Sequence, residues 1–138
     1  MNYNAFSEII TYEDLEDALS EFSKFSNNLN KTGDFINVTS RYETVLNKFF
    51  EQNNISELEA KIKAIATALD YLKKIEILTI ELPFEPSNIF VEKLYILLKN
   101  DIKGVFLLKI KKNLGLTFGA KIEFKGKIFS YTLADLIN

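Results

Sequence analysis

Ile77-Leu78-Thr79-Ile80-Glu81-Leu82 is the stretch on which the reading of the fold turns. Leu78, Ile80 and Leu82 fall on one side of an extended chain, and Thr79 and Glu81 fall on the other. That period of two belongs to a strand with one buried face. Before Ile75 the apolar residues recur at intervals of three and four, the spacing of helices. After Leu82 helical and alternating patterns succeed one another. The sequence therefore predicts an α+β protein: a small helical bundle of about three helices over residues 1–74, then a small βαββα domain over residues 75–138.

Working outward toward the C-terminus, Pro83 and Pro86 end the strand, because proline gives no ladder hydrogen bond. Ser87 can cap a helix carrying Ile89, Phe90, Leu94, Leu97 and Leu98, and Asn100 to Gly104 make the turn out of it. Val105 to Lys111 read as a second strand, with Phe106, Leu108 and Ile110 inward and Lys109 and Lys111 outward. Lys121–Phe124 and Lys127–Phe129 form a tight pair of strands about Lys125-Gly126, where glycine supplies the positive φ of a two-residue hairpin. Tyr131 to Ile137 read as about two closing helical turns. Gly115, Gly119 and Gly126 are expected to be turn residues.

Toward the N-terminus three amphipathic helices are expected. Thr11 can cap the first, with Glu13 and Asp14 in its first turn, where the helix dipole favours acids. Leu15, Ala18, Leu19, Phe22 and Phe25 form its apolar stripe, and Asn27-Asn28 are expected to end it. A second helix follows Thr39-Ser40, with Tyr42, Val45, Leu46, Phe49 and Phe50 on one side and Asn53-Asn54 as its stop. Ser56-Glu57-Leu58-Glu59 has the form of a capping box for the third, whose stripe is Leu58, Ile62, Ile65, Leu69 and Leu72. Most of these apolar positions are expected inside the bundle. The generous supply of Phe also suggests a partner-binding groove, with Leu15, Leu19, Phe22 and Phe25 as its anchors.

Composition narrows the chemistry. The chain contains no His, no Cys and no Trp, so the commonest general base and the commonest soft metal ligands are missing. No phosphate-cradling glycine loop occurs. Glu13, Asp14, Glu16 and Asp17 crowd one helix, but without the loop spacing of a calcium site. No enzymatic activity, cofactor, metal or small-molecule substrate is expected. Net charge is −2, yet acids dominate up to Ala60, and lysine dominates from Lys93 to Lys127 with only Asp101 and Glu123 opposing it. Such asymmetry suits a chain that meets different partners at its two ends. Arg41 is the only arginine. Residues 1–6 have neither a basic region nor an apolar run, and no apolar stretch approaches the roughly 20 residues needed to cross a bilayer. A cytoplasmic or organellar-matrix protein is expected, touching a membrane only through a larger complex.

The run from Ile75 to Asn138 resembles the C-terminal part of the ATP synthase delta subunit family, which includes the mitochondrial oligomycin-sensitivity-conferring protein. The resemblance lies in the order strand, helix, strand, followed by Gly119-Ala120 where that family has Gly-Gly. Ala120-Lys121-Ile122-Glu123-Phe124, Gly126 and Ile128-Phe129-Ser130-Tyr131-Thr132-Leu133 follow as strand, turn and return. Phe49 to Leu72, leading into Ile77-Leu78-Thr79-Ile80, is similar to that family's last long helix feeding its first strand. The family's Asp-Pro before the Gly-Gly is replaced here by Asn113-Leu114-Gly115, and its six-helix bundle by a shorter front half.

The likeness implies a divergent, shortened, non-catalytic connector of a rotary ATPase peripheral stalk. The α/β end would receive a stalk helix, with Phe106, Lys109 and Lys111 at the contact, and the helical end would hold the catalytic head. The alternative is a structural or RNA-contacting component of another assembly such as a ribosome, since strand lysines interleaved with Phe106, Phe124, Phe129 and Tyr131 could stack bases and neutralise phosphates.

Overall fold

A computed structural model of the chain describes residues 1–32, 41–116 and 119–132. Two compact units emerge: Met1–Ile9 with Glu13–Lys74, and Ile10–Tyr12 with Ile75–Asn138. The fold is α+β.

The first unit opens with a 3₁₀ turn, Asn4–Glu8, which buries Ala5 and Phe6. It continues with α1 (Tyr12–Thr32), α2 (Arg41–Gln52) and α3 (Leu58–Lys73). α1 runs through Asn27-Asn28 instead of ending there, because Leu29, four residues after Phe25, is buried. Packing of an apolar face outweighs the weak preference of Asn for helix ends. α2 does stop at the asparagines. Asn54 takes φ 55°, and the amides of Asn54 and Ile55 return to the Glu51 and Phe50 carbonyls. This left-handed closure satisfies carbonyls that the helix would otherwise leave open.

The expected capping box of α3 does not form. Glu57 is the N-cap, and no side chain caps the helix. The buried stripe of α3 also lies slightly off the expected one. Ala64, Ile65, Ala68 and Leu72 are buried, Ile62 and Leu69 are half-buried, and Leu58 is exposed.

In this unit the rings form one aromatic core. Phe6 lies 4.8 Å from Phe49 and 5.8 Å from Phe22, and Phe22 meets Tyr42 edge-on at 6.1 Å. The N-terminal segment is held by side chains as well: Tyr3 stacks on Tyr71 at 3.9 Å, and the Asn53 amide clasps the backbone of Asn2.

The second unit is a mixed four-stranded sheet with α4 (Asn88–Asp101) packed on one side. Its strands are β1 (Glu76–Leu82), β2 (Phe106–Lys112), β3 (Gly119–Phe124) and β4 (Lys127–Thr132), in spatial order β2-β1-β3-β4. β1 pairs parallel to β2, which requires the crossover that α4 supplies, and antiparallel to β3. The described order is thus βαβββ: all four strands placed from the sequence are present, one more than the βαββα outline counts. β4 continues through Tyr131 and Thr132, where helix was expected; the rest of that expected helix, residues 133–137, lies outside the described residues. The Thr39-Ser40 start of the second helix lies outside them too.

Leu78, Ile80 and Leu82 of β1 meet Phe106 and Leu108 of β2, Ala120 and Ile122 of β3, and Leu94 and Leu98 of α4 in one core. Ser87 caps α4 as expected, its Oγ accepting the Phe90 amide at 3.2 Å. Ile89, expected on the apolar side of α4, is 66% exposed. Lys125 and Gly126 have φ of 51° and 76°, which gives the hairpin a type I′ turn whose twist suits the strands it joins. Ile10–Tyr12 lies along the free edge of β2. Thr11 forms a parallel bridge with Leu108, and the Leu108 amide donates to the Ile10 carbonyl at 2.9 Å.

Candidate interaction surfaces

The expected partner anchors divide sharply between core and surface. Leu15, Phe22 and Phe25 of α1 are buried within the helical unit, Phe22 and Phe25 completely, while Leu19 is half-buried. They were expected to stand on a groove. They are core instead, because the N-terminal 3₁₀ turn brings Phe6 onto Phe22 and α2 brings Tyr42. Phe106 is likewise core: it is fully buried, 5.3 Å from Tyr95 of α4 and 6.2 Å from Phe124. A ring enclosed this way cannot stack on a base, so Phe106 gives no support to RNA contact.

The two lysines of β2 behave differently. Lys109 is half-buried with its Nζ 4.6 Å from the centre of the Tyr12 ring, and Lys111 is exposed and in register with Glu81. Glu81 is itself 3.7 Å from Lys121 of β3. On the sheet face away from α4, the rows Lys109–Thr79–Glu123 and Lys111–Glu81–Lys121 therefore alternate in charge across the strands. Such a surface is closer to balanced than the lysine count implied. Gly126 occupies the hairpin turn as expected. Gly119 does not sit in a turn: it opens β3, paired with Thr132.

Sequence reading missed the most developed polar cluster, which surrounds the only arginine. The Arg41 Nη2 donates to Asp14 Oδ1 at 2.6 Å and to the Tyr42 hydroxyl at 2.5 Å, and that hydroxyl donates to the Asp14 carbonyl at 3.2 Å. The hydrogen bonds to Tyr42 and then to Asp14 hold the guanidinium pKa above its ordinary value. Burial pushes the Tyr42 hydroxyl up, partly offset by the cation beside it. Asp17, Ser20, Glu21, Arg41 and Tyr42 line an open cleft of about 390 Å³. The cluster ties the start of α2 to the first turn of α1. Nothing in the sequence links Asp14 to Arg41, 27 positions apart, so only folding brings them together. Among the described residues no group of three or more Asp and Glu side chains is gathered as a metal site.

Leu114 in the loop after β2 is the most exposed apolar residue of the second unit, Ile128 of β4 is exposed as well, and α4 carries two more. Ile89 and Ile96 are 66% and 63% exposed, one above the other on its outer face, with Glu92 and Lys93 exposed between them. Among the described residues no helix is long and apolar enough to cross a membrane. The sequence matches no protein-family model and none of the curated proteins.

Proposed function

We propose that this chain is a non-catalytic connector in a multisubunit assembly, most concretely a peripheral-stalk subunit akin to the ATP synthase delta subunit. One observation carries the reading: the order and place of the elements in the second unit. Strand, helix and strand are followed by a strand opened by Gly119-Ala120, a turn at Gly126 and a return strand through Ile128, the order the family resemblance implies. Two compact units on one chain suit a joint that meets a different partner with each.

The partner contacts of such a connector fall on other residues than Phe22, Phe25 and Phe106, which are committed to the cores. In the second unit the charged end of the sheet face away from α4, where Lys111 and Glu123 are exposed, is the surface open to a stalk helix, whereas Leu107 on the same face is buried. In the first unit the acid-rich outer side of α1, with Glu13, Glu16 and Asp17 exposed, is open to the head.

The test is affinity capture of the tagged protein from its native membrane fraction, with mass spectrometry of what accompanies it. Recovery of ATPase head and stalk subunits, retained at high salt, is the expected result. Ribosomal proteins and RNA that wash away steeply with salt would overturn the proposal in favour of a nucleic-acid-bound assembly.

A further inference from the structure

We infer that the outer face of α4 is a self-association surface, on which a second copy of this chain docks its own α4 antiparallel about a two-fold axis. The inference is independent of the stalk reading and concerns the purified protein alone.

It begins from the exposed stripe of α4. Ile89, Glu92, Lys93 and Ile96 stand at i, i+3, i+4 and i+7, and all four are exposed, while Leu94 and Leu98 face the core. A solvated helix face is ordinarily polar throughout. Here both ends are isoleucine, about 10 Å apart along the axis at 1.5 Å per residue, with opposite charges between them.

The order Ile–Glu–Lys–Ile is complementary to its own reverse. A two-fold axis midway between Glu92 and Lys93 sets Ile89 against Ile96 of the second copy, twice, and Glu92 against Lys93 of the second copy, twice. A parallel arrangement would set Glu92 against Glu92 and Lys93 against Lys93, so the charges select the antiparallel one. Isologous pairing of this kind closes on itself and produces a dimer, not a filament. Neither Glu92 nor Lys93 forms an ion pair among the described residues, so both charges are free for the partner copy. The contact is one helix face, well below the roughly 800 Å² per partner of a standard interface, which makes the dimer weak and reversible.

Sedimentation equilibrium on the full chain, from about 10 µM to about 1 mM, reads it directly, at concentrations suited to a small interface. A monomer–dimer equilibrium is expected for the natural sequence. Ile96→Asp should weaken it at least about tenfold, since it takes a charge into both apolar contacts. Glu92→Lys alone, or Lys93→Glu alone, creates two like-charge pairs and should weaken it about tenfold, while the double reversal E92K/K93E restores it to within about twofold. All four positions are exposed, so circular dichroism and the melting temperature should be unchanged.

The chain has no cysteine, which permits a second test of the register. An equimolar mixture of Ile89→Cys and Ile96→Cys proteins should form mixed disulfide dimers faster than either variant alone. A monomer throughout the concentration range would overturn the inference. So would a dimer indifferent to Ile96→Asp, single reversals that the double one fails to restore, or faster cross-linking within one variant than between the two.

Discussion

Replacing Phe22 by Ala separates a core residue from a partner anchor, and the size of the effect follows from its surroundings. Phe22 is fully buried in the helical unit, with the rings of Phe6, Phe25 and Tyr42 at 5.8, 6.4 and 6.1 Å. Transfer of its apolar area accounts for about 1.5–3 kcal/mol. The cavity left among three rigid rings raises the total to about 3–5 kcal/mol, since rings fixed by their own neighbours cannot collapse into the space. A unit of this length has a total stability of about 4–10 kcal/mol, so the substitution removes a large share of it.

With a urea m-value of about 1 kcal/mol/M, the midpoint for loss of helical circular dichroism should fall by about 3 M or to zero. Phe22→Leu, which keeps most of the volume, should lose about 1–1.5 kcal/mol. A loss below about 1 kcal/mol for Phe22→Ala, with circular dichroism unchanged, would refute the assignment of Phe22 to the core and restore it as a surface anchor.

Three further outcomes are expected. Ser87→Ala should destabilise the α/β unit by about 1 kcal/mol in urea unfolding, because it removes the acceptor for the Phe90 amide, whereas Ser56→Ala, where no side-chain cap exists, should cost less than about 0.5 kcal/mol. Gly126→Ala should cost about 1 kcal/mol through its φ of 76° alone, since nothing lies within 4 Å of an added Cβ; a neutral result in thermal melts would mean the turn changes type. Burial raises the hydroxyl pKa of both Tyr42 and Tyr71. Between the unfolded and folded values the native state holds more protons, so this contribution is intact below about pH 10 and is lost as pH rises above it. Unfolding free energies measured on either side of pH 10 should therefore fall with pH, and Tyr71→Phe should flatten the fall.

The parts of the fold that were legible in the sequence are those whose signal is local. Alternation about Thr79 placed β1 with its buried side correct, Ser87 capped its helix, and Lys125-Gly126 announced the hairpin, because each depends on a few adjacent residues. What was not legible depends on partners distant in sequence. The apolar stripe of α1 was visible, but whether it faced a core or a groove depended on Phe6, from a segment with no helical period of its own. Asn27-Asn28 offered an end that Leu29 overrode by burial. Glycine usually marks a turn, yet the pairing of Gly119 with Thr132 makes it the first residue of a strand. The Arg41 cluster had no local signature at all.

The abundance of phenylalanine takes on a different meaning once the chain is seen as two units. Twelve Phe in 138 residues suggested more apolar surface than three helices could enclose, and hence a groove. A single core for the whole chain would make that argument sound. Two small units, each packing its own rings, reverse it, because surface grows relative to volume as a unit shrinks, and each small unit must bury more apolar mass per residue to offset chain entropy. Phe6, Phe22, Phe25, Phe49 and Phe50 are buried in the first unit. Phe106 is buried in the second, where Phe84, Phe90 and Phe124 are half-buried against its core. Every phenylalanine whose side chain is described is thereby accounted for by internal packing. Surfaces for partners must then be sought where a large apolar residue stays exposed within an ordered element despite that demand, and Ile89 and Ile96 on α4 meet that condition.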